Sequence, residues 1–333
     1  MSPRITIITP SFQQAPFLEA CLASIHSQGY PDLEHIVVDG GSTDGSRAII
    51  ERFGDRLSWW CSEPDRGQSH AINKGLERAT GGVFGWINSD DTLLPGALDV
   101  VGKAFRDDPE LMVLQGVRIA IHENGAHEPL QGNDPGDPDA LFIAPRIAQQ
   151  STFFRSEAVL KVGGVDERLH HVMDLELWLR LLFTNGTAHL RFIDTPLATF
   201  RMHPESKSST AQHRFVDETA GVLKGLCDQV GLRELGGILA LGHRIPAGIR
   251  TIAVGPDQRD LVERMTVRFL LHWNRVVHER ERFDAMRAFL ASPYARAPHL
   301  TAAQHERLKV IAEQVHTSWL AFRVRRKLRH LWG

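Results

Sequence analysis

The sequence has few cysteines, almost no tyrosine and no long apolar run. Its 333 residues include only 3 cysteines and 2 tyrosines. Cys21, Cys61 and Cys227 are far apart and follow no metal-binding spacing. This pattern argues against a disulfide framework and predicts a reducing compartment. No apolar run approaches the ~20 residues that span a bilayer, so we expect no transmembrane helix.

An excess of charge of either sign is also missing. The formal net charge is -2, so the chain as a whole gives no indication of nucleic-acid binding, and we expect no nucleic-acid partner. Hydrophobic residues make up 42% and charged residues 23%, which is typical of a globular protein with an ordinary core. The first four residues lead directly into a predicted strand rather than a signal peptide, which favours a cytoplasmic protein.

A short apolar run that ends in two adjacent carboxylates is the feature around which the chain is organised. Residues 83–87 are typical of a buried strand, and Asp90 and Asp91 follow it closely. Ligands of open α/β sheets bind at the carboxyl ends of the strands. Two like charges repel unless a cation lies beside them, and Mg²⁺ or Mn²⁺ prefers oxygen ligands. The alternative is a solvated turn before a helix, with Asp91 or Thr92 as its N-cap.

Strands and helices alternate through the first ninety residues. The predicted strands are 5–9, 33–38, 57–61 and 83–87, and the predicted helices between them are 17–28, 46–53 and 68–79. This order predicts an α/β fold with a parallel, doubly wound sheet. Asp39, Asp65 and the Asp90–Asp91 pair follow three of these strands. Each carboxylate alone could be a cap or turn residue, but their recurrence at one sheet edge predicts a site.

Seven motifs follow one another in a familiar order, at residues 7–12, 36–46, 65–75, 87–91, 163–166, 174–180 and 200–203. Together they resemble the family 2 glycosyltransferases over residues 4–205. The resemblance implies a GT-A fold with a mainly parallel sheet for residues 1–210. It also implies an inverting enzyme that moves a sugar from a nucleoside-diphosphate sugar, most commonly a UDP-sugar, to an acceptor hydroxyl. Cell-surface polysaccharide or glycolipid synthesis is the implied setting, with a glycan or glycolipid as the acceptor.

The resemblance also implies roles for the donor-binding residues. Thr9 and Pro10 would line the nucleoside, and Asp65 would lie near the base. Asp39 would accept a hydrogen bond from the base NH, which a carboxylate can do and an apolar side chain cannot. Asn88 stands where the family usually has an aspartate, so it would bond a ribose hydroxyl without contributing charge.

A divalent metal, Mn²⁺ or Mg²⁺, is the implied cofactor. Asp90 and Asp91 would hold it together with the ribose or diphosphate, and either carboxylate could be the main ligand. His203 would reach the metal or the diphosphate, and its alternative is a solvated loop histidine. Asp174 would be the general base on the acceptor hydroxyl. The alternative for Asp174 is a helix N-cap, with Glu176 in the first turn.

Residues 211–333 carry a different pattern. Helices are predicted at 216–230, 260–291 and 302–331, with apolar positions at packing intervals. The last segment, 319–332, holds five Lys or Arg residues and no acid. Its apolar stripe predicts an interfacial helix on an anionic membrane, at the inner face of the cell membrane. A helix packed on the protein is the rival interpretation.

Two other functions fit parts of the pattern. A sugar-nucleotide nucleotidyltransferase is also α/β, but it needs a glycine-rich, basic phosphate loop after the first strand, where this chain has Thr9 to Gln14. A non-catalytic sugar-nucleotide-binding protein would not need Asp39, Asp90, Asp91 and Asp174 together. Binding of a nucleotide with metal, followed by turnover, separates the three functions.

Overall fold

The computed structural model describes residues 2–122, 124–130, 132–133, 136–204, 211–273 and 279–324. The chain divides by its packing into two compact units. The first comprises residues 1–141 and 145–212, and the second comprises residues 142–144 and 213–333. The candidate site residues lie in the first unit.

The first unit is built on a nine-stranded sheet with helices between its strands. The strands are β1 (Ile5–Ser11), β2 (Leu33–Asp39), β3 (Trp59–Ser62), β4 (Val83–Trp86), β5 (Thr92–Leu93), β6 (Val113–Ile121), β7 (His127–Leu130), β8 (Thr152–Arg155) and β9 (Leu190–Arg201). The helices are α1 (Ala15–His26), α2 (Ser46–Phe53), α3 (Gln68–Leu76), α4 (Ala97–Asp107), α5 (Ala140–Ile143), α6 (Ser156–Lys161) and α7 (Met173–Asn185).

The sheet has the order β3-β2-β1-β4-β8-β6-β9-β5, and β7 pairs with β6. The pairs among β1, β2, β3 and β4 are parallel, as the alternating sequence pattern predicted. β8 then runs antiparallel to both β4 and β6. Because β6 pairs in parallel with β9, most strands share one direction and their carboxyl ends lie at one edge.

The strands β1 and β4 are mostly apolar because both of their faces are covered, and β2 adds the buried polar residues Glu34 and His35. The core beneath them includes Ile5, Ile7, Val83 and Leu98, all fully buried. A second cluster, built on Leu18, packs α1 and α2 over β2. Burial on both faces stabilises a continuous apolar strand, which is why residues 83–87 carry no polar side chain.

One glycine decides how β8 lies against β4. A Cβ atom on Gly85 would stand 2.8 Å from the Phe153 ring. Glycine therefore permits the close approach of β8, which a larger residue would prevent. The segment just before β8, Gln149–Ser151, is thereby held beside the end of β4.

The described residues of the second unit are mainly helical. Its helices are α8 (Gln212–Gln229), α9 (Arg233–Gly242), α10 (Arg259–Trp273), α11 (Arg280–Ala291) and α12 (Ala302–Val315). α9 packs on α11 so closely that a Cβ on Gly242 would meet the Ala285 Cβ at 2.8 Å. Leu226, Phe283 and Ile311 are among its fully buried side chains.

The helix boundaries in this unit differ from the prediction. The segment 260–291, predicted as one helix, contains α10 and α11, and residues 274–278 lie outside the described part. The predicted helix 302–331 ends at Val315, and a further helical segment covers 319–324. The rest of the basic tail lies outside the described residues. No helix in the described ranges is long and apolar enough to cross a membrane.

Candidate active site

Asp91 lies at the carboxyl end of β4 and is 1% exposed. Its backbone nitrogen donates to the Asn88 carbonyl at 2.9 Å, which turns the chain after the strand. Its Oδ1 accepts a hydrogen bond from the Arg201 backbone nitrogen at 3.0 Å. The chain thus places a carboxylate in a buried position between the ends of β4 and β9.

Burial and the neighbouring charge of Asp90 raise the pKa of Asp91 to about 8. Hydrogen bonds from the Arg201 backbone and from the side chains of Gln150 and Asn88 act in the opposite direction. They do not offset the two larger effects. At neutral pH the buried carboxyl group therefore favours a proton or a bound cation.

The side-chain amide of Asn88 helps to fix the position of this carboxylate. Its Nδ2 donates to Asp91 Oδ2 at 3.4 Å and to Gln149 Oε1 at 3.1 Å. Its Oδ1 accepts from Gln68 Nε2 at 2.6 Å. The predicted ribose contact would therefore compete with bonds that the amide already makes within the protein.

His203, a predicted metal ligand, lies beside Asp90. Its Nε2 is 3.1 Å from Asp90 Oδ2, and the histidine is 9% exposed. Phe17 of α1 contacts both the His203 ring, at 4.8 Å between centroids, and the Arg201 guanidinium, at 5.3 Å. His203 is therefore a packed residue at the end of β9 rather than a solvated loop histidine.

These residues fit a divalent ion only in part. Asp90 and Asp91 offer oxygen ligands and His203 offers an imidazole, a set that suits Mn²⁺. Over the described stretches, no three histidine, cysteine or acidic side chains already converge as a complete ion site. An ion held here would need further oxygen ligands from a substrate or from water.

Asp39 ends β2 and is fully buried. Its Oδ2 accepts from the backbone of Gly41 and Ser42 and from Ser62 Oγ at 2.7 Å, and its Oδ1 accepts from Ser42 Oγ. Oδ1 thus keeps one acceptor position, which is what the predicted base contact needs. The structure also gives Asp39 a second role, since it shapes the loop after β2.

Phe12, Gly40 and Asp65 lie close together just after β1, β2 and β3, and this group is here called the Gly40 cluster. A Cβ on Gly40 would stand 3.2 Å from both the Phe12 ring and Asp65 Oδ2. Phe12 is 60% exposed and follows directly after β1. No role for Phe12 was predicted from the sequence, because an exposed aromatic side chain acquires one only through its neighbours in space.

Thr9 and Pro10 lie in β1, paired with Val37 and Val38 of β2. The Thr9 side chain is bonded within the protein. Its Oγ1 lies 3.0 Å from Nε2 of His35, and both residues are buried. Any contact between Thr9 and a nucleoside would therefore involve its backbone.

Asp174 lies in the first turn of α7, where Val172 is the N-cap and makes no side-chain cap bond. The alternative of Asp174 as the N-cap is therefore wrong. Its Oδ1 accepts a hydrogen bond from the Leu175 backbone nitrogen at 2.8 Å. A carboxylate in the first turn is stabilised by the helix dipole.

Two neighbouring acids are held by arginines. Glu176 is fully buried and forms a two-point ion pair with Arg180, at 2.7 Å for each bond. Arg180 also donates to the Gly164 carbonyl at 2.7 Å. Asp166 is bonded to Arg168 Nε at 2.7 Å. Both acids therefore help to stabilise the loop before α7.

Arg118 of β6 is a second residue for which the sequence predicted no role. Its guanidinium stacks on the Phe200 ring, with Cζ 4.8 Å from the centroid. Burial lowers its pKa, whereas the charges of Asp91 and then Asp174 raise it. The cation thus shares its surroundings with both carboxylates.

The sequence is similar to that of known and uncharacterized glycosyltransferases. The family model described as Glycosyl transferase family 2 matches residues 6–159. An uncharacterized glycosyltransferase of Mycobacterium tuberculosis, MT1564, is 32% identical over 54% of this chain and 69% of its own length. The O-antigen biosynthesis protein RfbC of Myxococcus xanthus is 30% identical over 59% of this chain. The chain spans 16% of RfbC and 63% of another curated relative.

Solved structures share the fold at low sequence identity. The S. aureus TarS fragment in complex with UDP-GlcNAc has a TM-score of 0.64 at 16% identity, over 94% of this chain and 90% of that one. The mannosyltransferase PcManGT from Pyrobaculum calidifontis, in complex with GDP-Man and Mn²⁺, has a TM-score of 0.55 at 19% identity. That match covers 94% of this chain and 85% of PcManGT.

Proposed function

The chain belongs to the family 2 glycosyltransferases and has their GT-A fold, and we propose that it transfers a sugar from a nucleoside-diphosphate sugar to an acceptor hydroxyl with inversion. The observation that carries this proposal is the pairing of Asp90 with a buried Asp91 whose pKa is raised to about 8. A buried acidic pair beside His203 suits a cation that itself holds a diphosphate.

The proposed donor is a UDP-sugar. Support comes from the TarS fragment, which was solved in complex with UDP-GlcNAc, whereas PcManGT was solved with GDP-Man and Mn²⁺. The base would bind at the Gly40 cluster. The Phe12 ring would stack on the face of the base, and Asp39 Oδ1 would accept a hydrogen bond from the NH of the base. A flat base against an aromatic side chain is a favourable contact that tolerates different bases.

In the proposed reaction, the diphosphate leaves from one side of the anomeric carbon of the sugar, and the acceptor hydroxyl attacks from the other side. A bound Mn²⁺ or Mg²⁺ would act as a Lewis acid on the diphosphate. Asp90, Asp91 and His203 are the residues that would hold it. On the other side of the anomeric carbon, Asp174 accepts the proton of the acceptor hydroxyl as that oxygen attacks. Glu176 and Asp166 are poorly suited to this role, because arginines already bind their carboxylates.

The proposed acceptor is a cell-surface polysaccharide or a glycolipid. The relative RfbC, an O-antigen biosynthesis protein, supports this class. A membrane-bound acceptor also fits a cytoplasmic enzyme that is peripheral on the inner face of the membrane through its basic tail. Family membership favours transfer over both the nucleotidyltransferase and the non-catalytic alternatives.

The test is turnover with defined donors. Purified protein is incubated with UDP-GlcNAc, UDP-glucose or GDP-mannose, with Mn²⁺ or with EDTA, and release of the nucleoside diphosphate is measured. We expect release with one donor, dependent on metal, and its loss in Asp91→Asn. Absence of both binding and release with all three donors would contradict the proposal, and equal release in EDTA would remove the metal.

A further inference from the structure

Arg118 carries a partly buried positive charge for which the described residues provide no direct partner. Its guanidinium forms no hydrogen bond or ion pair with the described residues, and its contact is the face of the Phe200 ring. The stacked Arg155 differs in this respect. Arg155, over Phe105, also donates to the carbonyls of Leu111 and Asp108. Unused N–H groups in a partly buried site are costly unless a ligand accepts them.

The position of Arg118 is fixed by the sheet. It pairs with Ala198 of β9, so that Phe200, two residues further along, lies on the same face. The next residue, Arg201, is the one whose backbone nitrogen bonds Asp91. The stack on Phe200 therefore keeps a planar fork of donors beside the Asp91 end of the site.

We propose that Arg118 binds the terminal phosphate of the donor's diphosphate, the group that departs with the nucleotide. This inference rests on the proposed function. Arginine presents a planar set of N–H donors that matches phosphate oxygens. The negative charge on that phosphate grows as the bond to the sugar breaks. A fixed cation there stabilises the departing group without having to reorganise.

The alternative site for Arg118 is an anionic group on the acceptor. Asp91 is the stronger of its two electrostatic partners and Asp174 the weaker. In an inverting displacement the base and the departing group lie on opposite sides of the sugar carbon. Arg118 stacks on Phe200, and the next residue, Arg201, bonds Asp91 through its backbone nitrogen, so Arg118 is assigned to the diphosphate.

The experiment compares diphosphate and monophosphate binding by calorimetry, with Mn²⁺ present. The probes are UDP with UMP, and GDP with GMP, on wild type and on Arg118→Met, which keeps an unbranched apolar stem over Phe200. We expect Arg118→Met to weaken the diphosphate about tenfold or more, as loss of a charge-assisted bond does. We expect the monophosphate to change by less than about twofold, within the usual effect of a distant surface change.

Arg78→Met is the matched control. Arg78 also stacks on an aromatic ring, with its Cζ 5.0 Å from the Trp59 centroid, but it is exposed and outside the site. We expect its ratio of diphosphate to monophosphate affinity to equal that of wild type. Arg118→Lys keeps the charge without the fork and should lie between wild type and Arg118→Met.

The outcomes separate this inference from the proposed function. If wild type binds neither UDP nor GDP, the proposed function fails and this inference fails with it. If wild type binds a diphosphate and Arg118→Met keeps the same ratio to the monophosphate, only the role of Arg118 is wrong. Equal weakening of both nucleotides would also overturn it, because the loss would then not be specific to the terminal phosphate.

Discussion

The carboxylate of Asp91 is bonded to the backbone nitrogen of Arg201, 110 residues later in the chain, at 3.0 Å. This bond joins the end of β4 to the end of β9. β9 in turn leads to His203, which contacts Asp90 at 3.1 Å. The acidic pair therefore depends on a strand that enters the sheet long after the first alternating strands and helices.

Because its folded pKa is about 8, Asp91 should make stability depend on pH. Between about pH 4 and pH 8 the folded protein keeps a proton that the unfolded chain has released, so the free energy of unfolding falls as pH rises. Asp91→Asn cannot ionise and keeps an acceptor for the Arg201 nitrogen. We expect this variant to exceed wild type in unfolding free energy by several kcal/mol at pH 8, and by less at pH 5.

Urea unfolding in EDTA at the two pH values measures this difference. The exposed Asp55 offers a control, since Asp55→Asn removes a carboxylate from the surface instead of the interior. A stability gain in Asp91→Asn that is the same at both pH values would show that Asp91 does not hold the proton.

If the base binds at the Gly40 cluster, the Phe12 ring should contribute to nucleoside affinity. Phe12→Ala should weaken UMP by about 1–3 kcal/mol, the usual contribution of a base stacked on an aromatic ring. This loss of UMP affinity should be the same with Mn²⁺ and with EDTA, because the Gly40 cluster does not include Asp90 or Asp91. Phe12→Tyr keeps the ring and should bind as wild type. Calorimetry with UMP tests this prediction. Unchanged UMP affinity in Phe12→Ala would show that the base does not stack on Phe12.

The parallel part of the sheet could be predicted from the sequence, because β1, β2 and β4 are rich in apolar and β-branched residues and end in polar loops. The apolar pattern of β9 is interrupted at Asp194, Thr195 and Pro196, so the sequence does not by itself indicate one continuous strand. The structure keeps one strand, since register shifts near Val117 accommodate Pro196 against β6.

The candidate site was predicted residue by residue, but its connections were not. Asp90, Asp91 and His203 do lie together, and each had been named from the sequence. Asn88 is hydrogen-bonded to Gln68 and Gln149. The guanidinium of Arg118 is held by its stack on Phe200. These partners come from other strands and helices, and no local sequence pattern specifies them.

The C-terminal prediction can now be tested more sharply. Trp319 and Phe322 pack on Phe283, at 5.3 Å and 5.4 Å between ring centroids, so the start of the tail is attached to the second unit. Leu320 and Val324 instead are 72% and 51% exposed. Truncation after Val324 therefore removes the basic residues 325–329 and spares the aromatic contacts.

We expect this truncation to abolish co-sedimentation with phosphatidylglycerol vesicles, because each basic residue contributes about 1 kcal/mol near an anionic surface. Leu320→Ser together with Val324→Ser should weaken binding while keeping the charge. Neutral phosphatidylcholine vesicles are the control. Equal sedimentation of the full and truncated chains would favour the rival interpretation, a tail that only packs on the protein.

Asp174→Asn gives the sharpest test of the proposed base. Asparagine keeps the size of the side chain and an oxygen that can accept from the Leu175 nitrogen. It cannot accept the proton of the acceptor hydroxyl. We expect the melting temperature and nucleotide affinity to stay near wild type while sugar transfer falls by ~10²-fold or more, the usual contribution of a positioned base. Glu176→Gln is the contrasting variant: it weakens the buried pair with Arg180, so its first effect should be on stability. Transfer at the wild-type rate by Asp174→Asn would show that the base lies elsewhere and that Asp174 only stabilises the first turn of α7.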